Sequence, residues 1–229
     1  MTIHKTATVF LILLASAIPA TLSGCKVGRG VRAESVADSG DSGAVSIHKM
    51  GGGIDVKDAP HGATLETMGG DIHLENVGEF AKVKTMGGNV TIDRADASVD
   101  ASTMGGSIKI KDANGSIKAT TMGGDVSAHL VGLSAARRDI HLSSMAGTIT
   151  LTVPKDFPME VRIKLAYTKN VGNKFDISEH LGLTRRETAD WDTSMGSPRK
   201  YIYATGRVGN GQNHVEIDTI NGDVILRQE

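Results

Sequence analysis

Thr67-Met68-Gly69-Gly70 recurs as Thr85-Met86-Gly87-Gly88, Thr103-Met104-Gly105-Gly106 and Thr121-Met122-Gly123-Gly124, each copy 18 residues after the last. Met50-Gly51-Gly52 extends the series backwards at the same interval, and a degenerate copy, Ser144-Met145-Ala146-Gly147, follows after 23. A fixed period of this length marks an architecture in which one short unit packs on the next.

Written in rows of 18 from Gly51, Gly69, Gly87, Gly105 and Gly123, the chain places apolar residues in fixed columns. Column 4 holds Ile54, Ile72, Val90, Ile108 and Val126, and column 6 holds Val56, Leu74, Ile92, Ile110 and Ala128. Column 9 holds Ala59, Val77, Ala95, Ala113 and Val131. The pattern returns nine places later, with Ala63, Ala81, Val99 and Ile117 in column 13 and Leu65, Val83, Ala101 and Ala119 in column 15. Methionine occupies column 18. Apolar residues two apart between polar ones give strand alternation. Gly-Gly, Pro60 and Asn114-Gly115 interrupt each run too soon for helices. The expected fold is all-β: a single-stranded parallel β-solenoid of 18 residues per coil, two short strands per coil, rising about 4.8 Å each time. A lone coil buries too little to fold by itself, so stacking is obligatory. In this reading the methionines turn inward as a ladder, flexible thioethers filling a narrow corner at the Gly-Gly bend. Met104→Asp is then expected to unfold the body.

Outward columns bring opposite charges together on several successive coils. Column 7 runs Lys57, Glu75, Asp93, Lys111, and column 14 runs Thr64, Lys82, Asp100, Lys118, an arrangement that attracts successive coils and resists register slip. The fifth row carries five extra residues around Ala135-Ala136-Arg137-Arg138-Asp139, after which Ile140, Leu142, Ile149 and Leu151 restore the pattern. Regular coils are expected over 44–153. Between Lys155 and Asn210 the register is lost and aromatics gather, among them Phe157, Tyr167, Trp191, Tyr201 and Tyr203. Val161–Leu165 and Tyr201–Tyr203 read as strands within an aromatic cap over 154–209, needed because an open solenoid end exposes strand edges. In a final coil, 210–229, Val215, Ile217 and Ile220 match columns 13, 15 and 18, and Val224 and Leu226 match columns 4 and 6.

Residues 1–24 read as an export signal, with Lys5 before the apolar run that begins at Val9. The run ends in Leu22-Ser23-Gly24-Cys25, which resembles the lipobox of bacterial lipoproteins. The resemblance implies acylation of Cys25 and a membrane anchor; the stretch over 25–43, which lacks apolar periodicity, reads as a flexible tether. Lys26, rather than Asp, follows the cysteine, which by the same resemblance favours the outer membrane in a two-membrane host. Removing the leader and its one lysine leaves 24 basic residues from 25 against 26 acidic, a net charge of −2. Nucleic acid is therefore not an expected partner. One cysteine excludes an intramolecular disulfide and a cysteine-based zinc cage.

Gly70-Asp71-Ile72, Gly124-Asp125-Val126, the run Gly147–Pro154 and Asn221-Gly222-Asp223-Val224 together resemble a bacterial adhesin-like family of domains of unknown function, over roughly 44–229. The resemblance implies a right-handed solenoid, in keeping with the crossover preference of parallel strands, and brings no catalytic residues. Calcium β-rolls share the coil length, but the Gly and Asp places of their nonapeptides hold Ile72 and Leu74 here. His73, His129 and His141 fall in columns 5, 7 and 14 and read as solvated surface. Methionine ladders can bind copper, yet a column turned inward reads as packing. No catalytic, cofactor or metal site is expected. The leading reading is a non-enzymatic envelope lipoprotein, adhesin or rigid spacer, with an envelope protein or surface glycan as partner. An assembly or signalling scaffold is the alternative. A polysaccharide-acting enzyme ranks last, lacking a carboxylate or arginine cluster along a groove.

Overall fold

The computed structural model describes residues 38–39, 43–132, 136–194 and 196–229; the leader, Cys25 and most of the tether lie outside the described residues. Strands β1 (Asp38–Ser39) and β2 (Val45–Lys49) come first. They are followed by β3 (Ile54–Ala59), β4 (Ala63–Thr67), β5 (Ile72–Val77), β6 (Phe80–Thr85), β7 (Val90–Ala95) and β8 (Ser98–Thr103). The alternation continues through β9 (Ile108–Ala113), β10 (Ile117–Thr121), β11 (Val126–Leu130), β12 (Asp139–Ser144) and β13 (Ile149–Val153). The remainder forms β14 (Met159–Thr168), β15 (Ile177–Ser178), β16 (Thr184–Glu187), β17 (Arg199–Val208), β18 (Asn213–Ile220) and β19 (Val224–Gln228). Sheet A is ordered β1-β2-β4-β6-β8-β10-β12-β18-β14-β17-β16, and sheet B β15-β19-β13-β11-β9-β7-β5-β3. Among the described residues all regular structure is β.

The columns read from the sequence are the registers of these sheets. In sheet B, Ile54, Ile72, Val90, Ile108, Val126, Ile149 and Val224 stand one above another. In sheet A the corresponding file is Ala63, Ala81, Val99, Ile117, Ile140 and Val215. Both files are buried, and with columns 6 and 15 and the first four places of column 9 they form one continuous core between the sheets; at the fifth place an irregularity in β11 sets Leu130, not the expected Val131, beside Ala113 and into the core.

The methionine ladder is reversed. Met68, Met86, Met104, Met122 and Met145 are 43–50 % exposed and Met50 more so, whereas Thr67, Thr85, Thr103 and Thr121 are at most 4 % exposed. Strand parity explains it: places 13, 15 and 17 face the core, so the residue after the threonine points out. The threonine also does what a thioether cannot. Its Oγ1 donates to the carbonyl of the second glycine of the pair that opened the same coil, at 3.0 Å for Thr85 to Gly70 and 2.8 Å for Thr121 to Gly106. Ser144 and Thr219 repeat the bond to Gly124 and Gly147. Gly88 and Gly106 in turn donate their N–H groups to Thr85 and Thr103 Oγ1 at 3.2 Å. A buried carbonyl at the bend is thus satisfied inside the corner.

The second glycine of each pair is required by close approach. A Cβ at Gly70, Gly88, Gly106 or Gly124 would lie 2.0–2.3 Å from the carbonyl oxygen of the glycine one coil below. Column 3 closes the outside of the same corner. Asp71 Oδ1 accepts from Asn89 N at 2.7 Å, Asn89 Oδ1 from Ser107 N at 2.8 Å, Ser107 Oγ from Asp125 N at 3.1 Å and Asp125 Oδ1 from Thr148 N at 2.7 Å. Serine serves as well as aspartate there because the task is hydrogen-bond acceptance.

The coils do not stack in chain order at the far end. After β13 the chain skips one level, and β14 pairs in parallel with β18, which itself pairs in parallel with β12. The last coil in sequence, β18 and β19, therefore fills the level between the 139–153 coil and the excursion. Buried Asn213 ties the three segments together: its Oδ1 accepts from Arg138 N at 2.9 Å and its Nδ2 donates to Pro158 O at 2.7 Å. Arg138, from the inserted loop, is itself buried; it donates to Val131 O and Asn114 Oδ1 and lies over the Phe157 ring, and desolvation lowers its pKa. Beyond β14, antiparallel β17 and β16 close sheet A. The final strand, Thr184-Arg185-Arg186-Glu187, is exposed and charged, which discourages edge-to-edge pairing.

Candidate functional site

The outer face of sheet A changes character at this end. Strand β14 turns Arg162, Lys164 and Ala166 outward, and their partners on β17 are Thr205, Tyr203 and Tyr201. Tyr201 and Tyr203 stack with centroids 6.0 Å apart. Lys164 Nζ lies 5.1 Å from the Tyr201 centroid and the Arg186 guanidinium 5.5 Å from that of Tyr203. Behind them Trp191 meets Tyr167 edge-on at 5.7 Å and carries Lys200 Nζ over its ring at 5.3 Å. Lys164, Tyr201, Tyr203 and Arg186 thus form one patch on this face, each cation contact drawing on the ring's negative face, while Tyr167 and Lys200 have the opposite strand parity.

A cleft of about 250 Å³ opens beside this patch. Its lining includes Met145, Lys164, Ala166, Arg199, Tyr201 and Asp218. The small Ala166, between Ile220 and Tyr201 in the sheet, creates the depression. Burial raises the pKa of Asp218, the nearby Glu216 adding to it and Lys164 and His141 opposing. Burial likewise raises that of Tyr201, whose hydroxyl donates to Asp192 Oδ2 at 2.9 Å. Tyr167, with a hydroxyl bonded to Glu187, is pushed up to about 12, mainly by burial. These phenols stay protonated as donors at neutral pH. The cleft can offer two cations, a ring face and one carboxylate to a ligand.

His73, His129 and His141 lie at the surface without stacking on one another, each beside carboxylates of adjoining coils. His73 Nδ1 is 3.8 Å from Asp55 and its Nε2 3.5 Å from Asp93; His129 Nδ1 is 3.3 Å from Asp112; His141 Nδ1 is 3.2 Å from Glu216. Donor atoms of Asp55, His73 and Glu75, and of His141, Glu216 and Asp218, lie within 4.8 Å of one another. His48–Glu66 and His61–Glu79 repeat the pairing on ordinary coils, so lateral ion pairing accounts for the arrangement. Along column 7, Lys111 Nζ meets Asp93 at 2.8 Å, and that hydrogen bond is the main reason Asp93 is held below the usual carboxylate range. Cys25 lies outside the described residues. Ser143 lines the cleft beside Ser144, while Arg137 pairs with Asp139 at 2.9 Å on the inserted loop.

The family model of Toastrack DUF4097, a domain of unknown function, matches residues 30–179, more than half of the 229-residue chain. The chain belongs to the Toastrack DUF4097 family. Comparison with curated proteins and with solved structures returned no match. The matched span of this Toastrack chain holds β1 to β15, including Lys164 and Ala166 of the cleft. Arg199, Tyr201 and Asp218 come from chain beyond it. The sequence placed the aromatics in a cap, the one segment where it allowed a recognition pocket, but not the residues that wall the cleft, because β12, β18 and β14 become neighbours only through the out-of-order stacking.

Proposed function

We propose that this Toastrack chain is a non-enzymatic module of a cell envelope, exported and anchored through a lipid on Cys25, in which the solenoid is a rigid spacer and adhesive arm. The end wall is its recognition surface. The observation that carries this reading is the row Lys164, Tyr201, Tyr203 and Arg186 beside the cleft over Ala166. Stacked phenol rings offer apolar faces with polar tips, and the cations add charge selectivity, a combination suited to a surface glycan or to an acidic region of another envelope protein. The lipobox-like Leu22-Ser23-Gly24-Cys25 supports the anchor, and Lys26 supports the outer membrane in a two-membrane host.

Labelling with [³H]palmitate tests the anchor: the wild-type chain should take the label and Cys25→Ala should not, and label on both overturns it. Capture from detergent-solubilised membranes and glycan arrays test the end wall. A ligand held by wild type and lost by Tyr201→Ala is the expected result; equal capture by both removes the end wall from the reading. Protection of the whole chain from protease on intact cells would favour the second reading, an assembly or signalling scaffold facing the periplasm. Polysaccharide hydrolysis by the purified chain would overturn the non-enzymatic assignment.

A further inference from the structure

The fold gives column 18 no reason to be methionine. The inside of the corner is already filled by Thr67, Thr85, Thr103 and Thr121, and the methionines stand outside it, 43–50 % exposed from Met68 to Met145. Other outward columns vary freely from coil to coil: column 7 runs Lys57, Glu75, Asp93, Lys111. Column 18 is methionine at all six levels from Met50 to Met145. In Ser144-Met145-Ala146-Gly147 the threonine has become serine and the first glycine alanine, yet the methionine stays. Stacked apolar side chains are what a soluble surface ordinarily breaks up.

The residue after each methionine supplies a second, separate observation. A Cβ at Gly69 would meet nothing within 4 Å, and at Gly87, Gly105 and Gly123 only ordinary contacts at 3.5–3.9 Å. None of these four has the left-handed φ that favours glycine. The backbone would accept a side chain there, and its absence leaves the thioethers uncovered. Column 3, just past the bend, presents Asp71, Asn89, Ser107 and Asp125, with no cation among them.

A thioether is a soft, neutral ligand that favours Cu(I) over hard cations. One binds weakly, so several must converge. Successive coils set the methionines about 4.8 Å apart. With metal–sulfur bonds of about 2.3 Å, two sulfurs on opposite sides of one ion stand about 4.6 Å apart. Methionine's three rotatable bonds absorb the small difference and allow a third sulfur to close in. We infer that the ridge of Met68, Met86, Met104 and Met122, extended by Met50 and Met145, binds Cu(I), each ion held between the thioethers of adjacent coils. Binding needs no change of oxidation state and releases no proton, because a thioether carries none. The 18-residue repeat thereby sets out a linear array of like sites.

The test uses the full-length chain carrying Cys25→Ser, so that the lone thiol contributes nothing. Cu(I) is titrated anaerobically, with reductant present, against a chromogenic Cu(I) chelator. The parent chain should withdraw Cu(I) from the chelator. The triple variant Met86→Leu, Met104→Leu, Met122→Leu keeps the apolar volume and should bind at least about tenfold more weakly at an unchanged urea midpoint. Failure of the parent to compete, or equal competition by the triple variant, overturns the proposal. Should the triple variant be destabilised, ¹³C-methyl spectra of the parent decide. Ag(I), a redox-inert stand-in, must shift the ε-methyl signals assigned through single Met→Leu variants, and unmoved ridge signals overturn the site.

Discussion

Gly105 and Gly106 are neighbours of identical chemistry, and alanine at each should have opposite consequences. At Gly106 the new Cβ would lie 2.0 Å from Gly88 O, 2.5 Å from Gly88 C and 2.8 Å from Asn89 N. A carbon–oxygen contact of about 3.3 Å requires the corner to open by more than about 1 Å. Three hydrogen bonds meet there: Thr103 Oγ1 to Gly88 O at 2.9 Å, Ser107 N to Asn89 Oδ1 at 2.8 Å and Gly105 N to Met86 O at 3.1 Å. An opening of that size takes each outside hydrogen-bonding range. At about 1 kcal/mol apiece the loss is about 3 kcal/mol, before any loosening over the core. At Gly105 the nearest atom to a Cβ is Met86 O at 3.7 Å and the backbone is not left-handed. Alanine there should be neutral or stabilise by about 0.4–1 kcal/mol, through a less flexible unfolded chain. The chain itself holds the natural experiment: Ala146-Gly147 and Asn221-Gly222 change the first residue of the pair and keep the second. Urea unfolding followed by far-ultraviolet circular dichroism measures both variants. Equal shifts in midpoint, or a Gly106→Ala protein within about 0.5 kcal/mol of wild type, would refute the close-approach argument.

Thr103→Val should cost about 1–3 kcal/mol, because it strands the Gly88 carbonyl and the Gly106 N–H, whereas Met104→Asp should shift the urea midpoint little; the reverse order would restore the inward methionine. Amides of β18 should exchange as slowly as those of β12 although the strand ends nine residues from Glu229, since parallel neighbours flank it on both sides; hydrogen exchange typical of a fraying terminus would contradict the inserted coil. Asp218 has a folded pKa raised chiefly by burial, so its contribution to stability is present below the unfolded value near 3.8 and is lost as pH rises through the folded value. Asp218→Asn should therefore raise the urea midpoint at about pH 7 and lose that advantage at about pH 3, and a constant or reversed difference would show that the charge is not strained.

Column by column, the sequence by itself determined the coil length, the two strands per coil and the register in which coils pair. Ile140, Val215, Ile149 and Val224 all fall where their columns put them, even though 75 residues separate the partners in each pair. An apolar residue at a repeated place can be buried only against its own copies, so periodicity is already a statement about register. Which of Thr and Met enters the corner was not legible in this way. Both recur at every level, and hydropathy favours the thioether. The outcome rests on strand parity carried up to the bend and on a buried glycine carbonyl that needs a donor. Stacking order was likewise hidden. A column match says that Val215 pairs with its column, but not that β14 leaves a level open for β18 to fill. The cleft, with Lys164, Tyr201 and Asp218 drawn from three strands of that reordered end, exists only in the tertiary structure. So does the exposure of the methionine ridge, for which packing no longer accounts.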